Sequence, residues 1–184
     1  MSRTSEPADA GRLLVSPFVV VVDSREKAPY GFASIHADAA QRQGGSPQVV
    51  LVRSVVRGLA AGDYTLEGHE PDTPLSVAVE RKSACDLFGT LGQARARFVS
   101  ELQRLAACEF AAVVVEAEWS ELLGSPPAHS RLNPKTVHRS VIAWQQRYPR
   151  VHWWFLPGRD AAEVTTYRIL ERFWKEQQSR VQAH

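Results

Sequence analysis

Apolar residues along this chain fall into short continuous runs separated by stretches with helical spacing. That alternation predicts an α/β domain. FVVVVDSRE (18–26) reads as a buried strand whose C-terminal end carries Asp23 and Glu26. HADAAQRQGGSP (36–47) reads as a loop, QVVLVRSVV (48–56) as a second strand and GLAAGD (58–63) as a turn. YTLE (64–67) is a short strand, GHEPDTP (68–74) a turn cluster and SVAVERK (76–82) a further strand. SACDLFGTL (83–91) and QARARFVSELQRLAAC (93–108) read as helices, with Gly89 and Gly92 between them. In the second, Phe98, Leu102 and Leu105 mark the apolar face. FAAVVVEAEW (110–119) is another buried strand, and GSPPAHSRLNP (124–134) is a loop. Asn133 then caps a helix with Pro134 at its first position, and Val137, Val141, Trp144 and Tyr148 share one face. VHWWFLP (151–157) is a strand. The last helix opens with Asp160 and Glu163 as a capping pair and turns Val164, Tyr167, Leu170 and Trp174 inward. Hairpins early and strand–helix alternation later predict a mixed β-sheet flanked by helices.

One strand ends oddly. Val77, Ala78 and Val79 look like core, yet Glu80, Arg81 and Lys82 follow at once, and Asp86 comes four residues later. Residues 63–67 and 76–80 read as the two arms of an antiparallel hairpin around the 68–75 turn. That pairing sets Asp63 opposite Glu80 and Thr65 opposite Ala78. Side chains alternate along a strand, so Asp63, Thr65, Ala78, Glu80 and Lys82 share a face. Tyr64, Leu66, Val77 and Val79 form the core face. The strand is thus expected to be buried on one side and polar on the other, with Arg81 turned towards the core.

Composition changes this picture little. The chain has 184 residues, 44% hydrophobic and 23% charged, which suits one globular domain. No apolar run is long enough to cross a membrane. The polar start, MSRTSEPADAGR, lacks the apolar core of a secretory signal and reads as a frayed tail. Cys85 and Cys108 fit neither a disulfide framework nor a zinc site, and both sit in Ala-rich surroundings expected to be buried. A reducing cytoplasm fits them. The net charge of +2 excludes a polycation, and binding of a polyanion through Arg95, Arg97 and Arg104 would be weak and salt-sensitive.

Two carboxylates facing one another repel, and one holds a proton unless a cation sits between them. Mg2+ suits such a site, because it takes few protein oxygens and keeps waters and phosphate oxygens as its other ligands. Lys82 is placed to orient or help deprotonate a metal-bound water. This is the logic of a metal-dependent phosphodiesterase. Plainer readings stand beside it. Glu80 and Lys82 also read as a salt bridge at a strand end. Asp86 reads as the acid of a capping box opened by Ser83. Arg81 reads as cover for the sheet edge, Glu26 as a partner of Arg25 or Lys27, and Glu116 as a solvated strand end. The three helix arginines track phosphates or form a solvated face. Trp153 and Trp154 offer one core ring and one surface for unpaired bases.

VVDSRE (21–26), GDYTL (62–66) and VERKSACDL (79–87), in that order, resemble the nuclease domain of the XPF-type structure-specific endonucleases, with its GD…ERKxxxD hallmark. Gly62, Asp63, Glu80, Arg81, Lys82 and Asp86 match the hallmark, and Asp23 and Glu26 match the family's upstream acid pair. The resemblance implies a restriction-endonuclease-like fold over residues 17–178, between a tail at 1–16 and another at 179–184. It implies Mg2+- or Mn2+-dependent cleavage of flap or fork DNA in repair or recombination. Asp63, Glu80 and Asp23 would hold the metal and Lys82 would assist the attacking water. Glu26 and Asp86 would complete the acidic site, and Arg81 would contact phosphate or brace it. Family members dimerise through this domain. Leu170, Phe173 and Trp174 give the last helix more apolar surface than one stripe needs, which points to a homodimer. Neither a tandem helix-hairpin-helix module nor a GxxxxGK[ST] helicase signature is read here, so a separate DNA-binding partner is expected. Two other readings use the same residues. One is a DNA-binding scaffold without catalysis, against which the intact acids argue. The other is a restriction or RNA-processing nuclease sharing the E-x-K chemistry.

Overall fold

The computed structural model describes residues 14–37, 48–92, 94–128 and 130–182. Six strands form one mixed sheet: β1 (Leu14–Asp23), β2 (Val50–Arg57), β3 (Tyr64–Leu66), β4 (Val77–Lys82), β5 (Phe110–Val115) and β6 (Val151–Phe155). Their order is β2-β1-β3-β4-β5-β6. β3 runs antiparallel to β1 and β4, while β1/β2, β4/β5 and β5/β6 pair in parallel. The register in β1 shifts between Val15 and Val19, where Pro17 cannot donate to the ladder. Five helices are described: α1 (Ala84–Leu91), α2 (Arg95–Leu105), α3 (Trp119–Gly124), α4 (Pro134–Arg147) and α5 (Arg159–Gln182).

Alternation sorts the strands' side chains into two cores. Ala111, Val113 and Val115 of β5 join Leu87, Phe98, Leu102, Val141 and Trp144 under α1, α2 and α4. Ala112 and Val114 join Val77, Val79 and Tyr64 under Tyr167 and Leu170 of α5 on the opposite face. Residues that alternate along one strand therefore open onto different worlds, and this decides where the charges of β4 go.

The expected hairpin register holds, since Tyr64 pairs with Val79 and so sets Asp63 against Glu80. The expectation of one polar face does not. Thr65 and Ala78 are fully buried, and the Thr65 hydroxyl lies 2.9 Å from the His69 carbonyl and 2.5 Å from that of Val77. Both faces of β4 are covered by helices, and polarity is confined to its C-terminal end. Strand β5 stops at Val115, and Trp119 opens the short α3 rather than ending a strand. Asp160 lies inside the first turn of α5, which begins at Arg159, so it is not the cap. Asn133 does cap α4, its Oδ1 accepting from the Lys135 amide at 2.9 Å. Cys85 is exposed and only Cys108 is buried. Leu170 and Phe173 pack into the core, so they supply no outer surface, and Trp174 is half-buried against Phe18. The ordered elements also overrun the boundaries read from sequence, with β1 starting at Leu14 and α5 reaching Gln182. Most of the 36–47 loop lies outside the described residues.

Candidate active site

The site is built on the turn that leads into β3. Gly62 adopts a φ of 71°, and a Cβ there would meet the Val79 carbonyl oxygen and the Ala78 Cβ at 3.2 Å. Only glycine fits both the conformation and the space. The next residue is locked between two strands: the Asp63 amide donates to the Val79 carbonyl and its carbonyl accepts from the Asp23 amide, each at 2.8 Å. The Asp63 carboxylate then accepts from the Arg81 amide at 2.7 Å through Oδ2. Two residues along the same face, Lys82 Nζ donates to Glu80 Oε1 at 2.6 Å and rests 5.0 Å from the centre of the Phe98 ring.

These groups line a cleft of about 540 Å3. Asp23, Asp63, Glu80 and Lys82 form its sheet wall, Asp86 lines it from the first turn of α1, and Arg97, Glu101 and Arg104 of α2 form the other side. Burial, with Glu80 next to it, pushes the Asp63 carboxyl up to about 8. Burial also raises Glu80, against the pull of Lys82. Burial opposes the Lys82 charge, yet Glu80 outweighs it and keeps the ammonium above its usual range. Asp23 behaves differently. Burial pushes it up, but Arg25 brings it below the usual carboxylate range, because Arg25 Nε and Nη2 donate to both of its oxygens at 2.5–3.1 Å.

The remaining sequence candidates separate. Asp86 is both a capping acid and a cleft residue: its amide donates to Ser83 Oγ at 3.1 Å while its carboxylate accepts from that hydroxyl at 2.6 Å. Arg81 points to the α5 side of the sheet. There Nε and Nη2 bind Glu116 at 2.7 and 2.8 Å, and Nη1 reaches Glu26 at 3.4 Å. Glu116 also accepts from Tyr30 and Arg159, and its side chain is 9% exposed. It is therefore a buried ion-pair centre, not the solvated strand end expected. Glu26 pairs with Arg81 rather than with Arg25 or Lys27. Arg97 and Arg104 reach the cleft, whereas Arg95 lies outside it, 5.2 Å over the Trp144 ring and 3.1 Å from Ser140 Oγ. Trp153 joins Trp144, Phe98 and Phe155 in the core, and Trp154 is 44% exposed.

Two residues escaped the sequence reading. Arg25 clamps Asp23. Glu101 accepts from the Gly62 amide at 2.8 Å and pairs with Arg104. The signal for Glu101 was present, because the inward stripe at 98, 102 and 105 leaves 97, 101 and 104 together on the neighbouring flank.

The donor set suits a small, hard cation. Asp63 Oδ1 and Glu80 Oε2 are left without a hydrogen bond among the described residues. No group of three or more His, Cys, Asp or Glu side chains among them stands ready to enclose a metal. Two carboxylates without a cage fit an ion that keeps most of its waters. Asp23, whose oxygens are held by Arg25, is less free to join them.

The family model of the ERCC4 domain matches residues 22–167. The chain belongs to the ERCC4-domain family of XPF-type nucleases. No curated protein matches the chain by sequence. Among solved structures, XPF from Aeropyrum pernix shares the fold of this ERCC4 domain at 21% identity and a TM-score of 0.51. The match covers 86% of this chain and 61% of that one, so the ERCC4 domain here spans about three-fifths of the solved protein.

Proposed function

We propose that this ERCC4 domain is a Mg2+- or Mn2+-dependent DNA endonuclease that cuts branched DNA such as flaps and forks. The observation that carries the reading is the placement of Asp63 opposite Glu80, with Lys82 hydrogen-bonded to Glu80 at one end of an open cleft. A bound metal would neutralise the two carboxylates and lower the pKa of a coordinated water. Asp63 and Glu80 supply the oxygens that hold it. The Arg81 amide fixes the Asp63 carboxylate through Oδ2, so its free oxygen has one orientation. Lys82 Nζ, kept protonated by Glu80, is placed to hydrogen-bond and orient the attacking water. Arg97 presents its cation to phosphates across the cleft, beside Arg104, which is paired with Glu101.

The test compares flap, fork, linear duplex and RNA substrates with Mg2+, with Mn2+ and with a chelator. Cleavage of branched DNA that needs the metal and is lost in Glu80→Gln supports the reading. Lys82→Ala should lose about 10²–10⁴-fold in rate. If Glu80→Gln cuts as well as wild type, the metal site is wrong and only the fold remains. Preferential cutting of RNA or linear duplex would move the activity to another target. A homodimer belongs to the same reading. We place its interface at the groove where Trp154 meets Val164 and Ile169, and Trp154→Arg should then yield monomers by light scattering.

A further inference from the structure

Charge is divided unevenly along the chain. Residues 122–159 contain no Asp or Glu and six Lys or Arg, while the other 146 residues carry sixteen cations and twenty acids. The basic segment spans α4 and its flanks, so a nearly neutral protein contains one strongly cationic stretch.

Topology sets the start of that stretch at the active-site edge. β4 and β5 are parallel, and Lys82 pairs with Val115, so both strands end at the edge where the cleft opens. β6 is parallel to β5 as well, so α4 between them runs back against the strands. Its first turns therefore lie at the cleft edge, and its last turn, with Arg147, lies roughly 20 Å away. A contact fixes the placement: Trp119, four residues past the end of β5, packs edge-on against His138 of α4. α4 is also tied to the cleft wall, since Arg95 of α2 lies over Trp144 and donates to Ser140 Oγ.

Arg131, Lys135 and Arg139 are exposed along this start. Lys135 and Arg139 stand one helical turn apart on the same face. Among the described residues neither they nor Arg131 make an ion pair, whereas Arg57, Arg104, Arg159, Arg168 and Arg172 are all engaged with carboxylates. Glu118 and Glu121 on the adjacent α3 are exposed and form no pair with α4 either. A row of free cations beside a cleft that already holds Arg97 fits a polyanion that continues past the site of reaction.

We propose that Arg131, Lys135 and Arg139 are a phosphate track for a duplex arm of the DNA, carrying it from the cleft across Arg97 and over the start of α4. The partner is identified by charge complementarity, as contacts to phosphates are independent of sequence and made by Lys and Arg. The inference rests on the nuclease reading and adds the path of the substrate outside the cleft.

The experiment measures binding of labelled fork DNA by fluorescence anisotropy, without divalent metal, over a salt series. Each phosphate contact contributes about 0.9 to the slope of log K against log salt. Lys135→Gln with Arg139→Gln should therefore reduce the slope by roughly 1.8 and weaken binding more for forks with long duplex arms than with short ones. The same charge loss on the opposite face of the sheet, Arg172→Gln with Arg180→Gln, should leave the slope unchanged. An unchanged slope in the α4 variant, while wild type binds and cuts, overturns the track alone. Equal losses in both double variants also overturn it, because they show a bulk charge effect. If the α4 variant instead loses binding to polyglutamate or anionic vesicles and keeps its DNA slope, the surface serves an acidic protein or a membrane, and the DNA assignment fails. Wild-type protein that binds no fork DNA at low salt overturns the track together with the nuclease reading.

Discussion

Burial lifts the Asp63 carboxyl to about 8 and Glu80 adds to the lift, whereas an exposed aspartate titrates near 3.8. The folded, metal-free protein therefore holds a proton that the unfolded chain has already lost. Stability falls as pH rises between those two values, and the full loss is in place above about 8. Asp63→Asn removes the titration, so thermal unfolding followed from pH 4 to 9 should give a flatter profile and a higher Tm than wild type at the alkaline end. A profile parallel to that of wild type would contradict the strained carboxylate pair. Arg81 carries a different kind of constraint, since its guanidinium is enclosed by Glu116 and Glu26. Arg81→Ala leaves Glu26 without its cation and Glu116 with Arg159 alone, and should cost about 3–5 kcal/mol in denaturant unfolding. Lys82→Ala, which acts on the cleft face of the same strand, should lose activity. The two residues sit next to each other in sequence and serve the site in separable ways.

The elements impose their own geometry on these groups. Gly62→Ala would force a Cβ against the Val79 backbone at 3.2 Å in a left-handed conformation. The variant should be destabilised by more than about 1 kcal/mol and should lose cleavage even where it remains folded, since Asp63 is displaced with the turn. Urea unfolding and a single-turnover assay on folded protein would check both parts. The same hairpin shows what the sequence could reveal. Its register was legible because residues 63–67 and 76–80 alternate strictly about one turn, and a slip of one residue would bury Glu80 in the α5 core. The α4 start was legible too, from Asn133 and Pro134. What lay beyond reach was long-range pairing. Nothing local says that Glu116 will bind an arginine 35 residues earlier, so it looked like a solvated strand end. Cys85 looked buried because its neighbours are apolar, yet it occupies the outer side of the first turn of α1. The six-residue α3 has no side-chain cap bond, so it left no start signal in the sequence.

At the scale of the molecule, two cores share one sheet, and the strand pair that carries Asp63 and Glu80 lies at its centre. A cation bound there in the folded state alone would stabilise the whole sheet by mass action. At a concentration near 100 times its dissociation constant, Mg2+ or Mn2+ should add about 2.7 kcal/mol. The gain should shrink in Asp63→Asn and Glu80→Gln, and differential scanning calorimetry at matched ionic strength would read it. An equal shift in wild type and both variants would mean the ion acts elsewhere.

The exposed Cys85 has a practical consequence. It lines the cleft, while the chain's other thiol, Cys108, is buried and pushed up in pKa by that burial. The native protein thus offers one addressable sulfur, at the rim where DNA would enter. A maleimide fluorophore should attach once per chain by mass spectrometry without any prior cysteine substitution. Its emission should change on titration with fork DNA, and saturating DNA should slow the attachment. The molecule would then report occupancy of its own cleft, and labelling of Cys108 at a comparable rate would show that this reporter cannot be read cleanly.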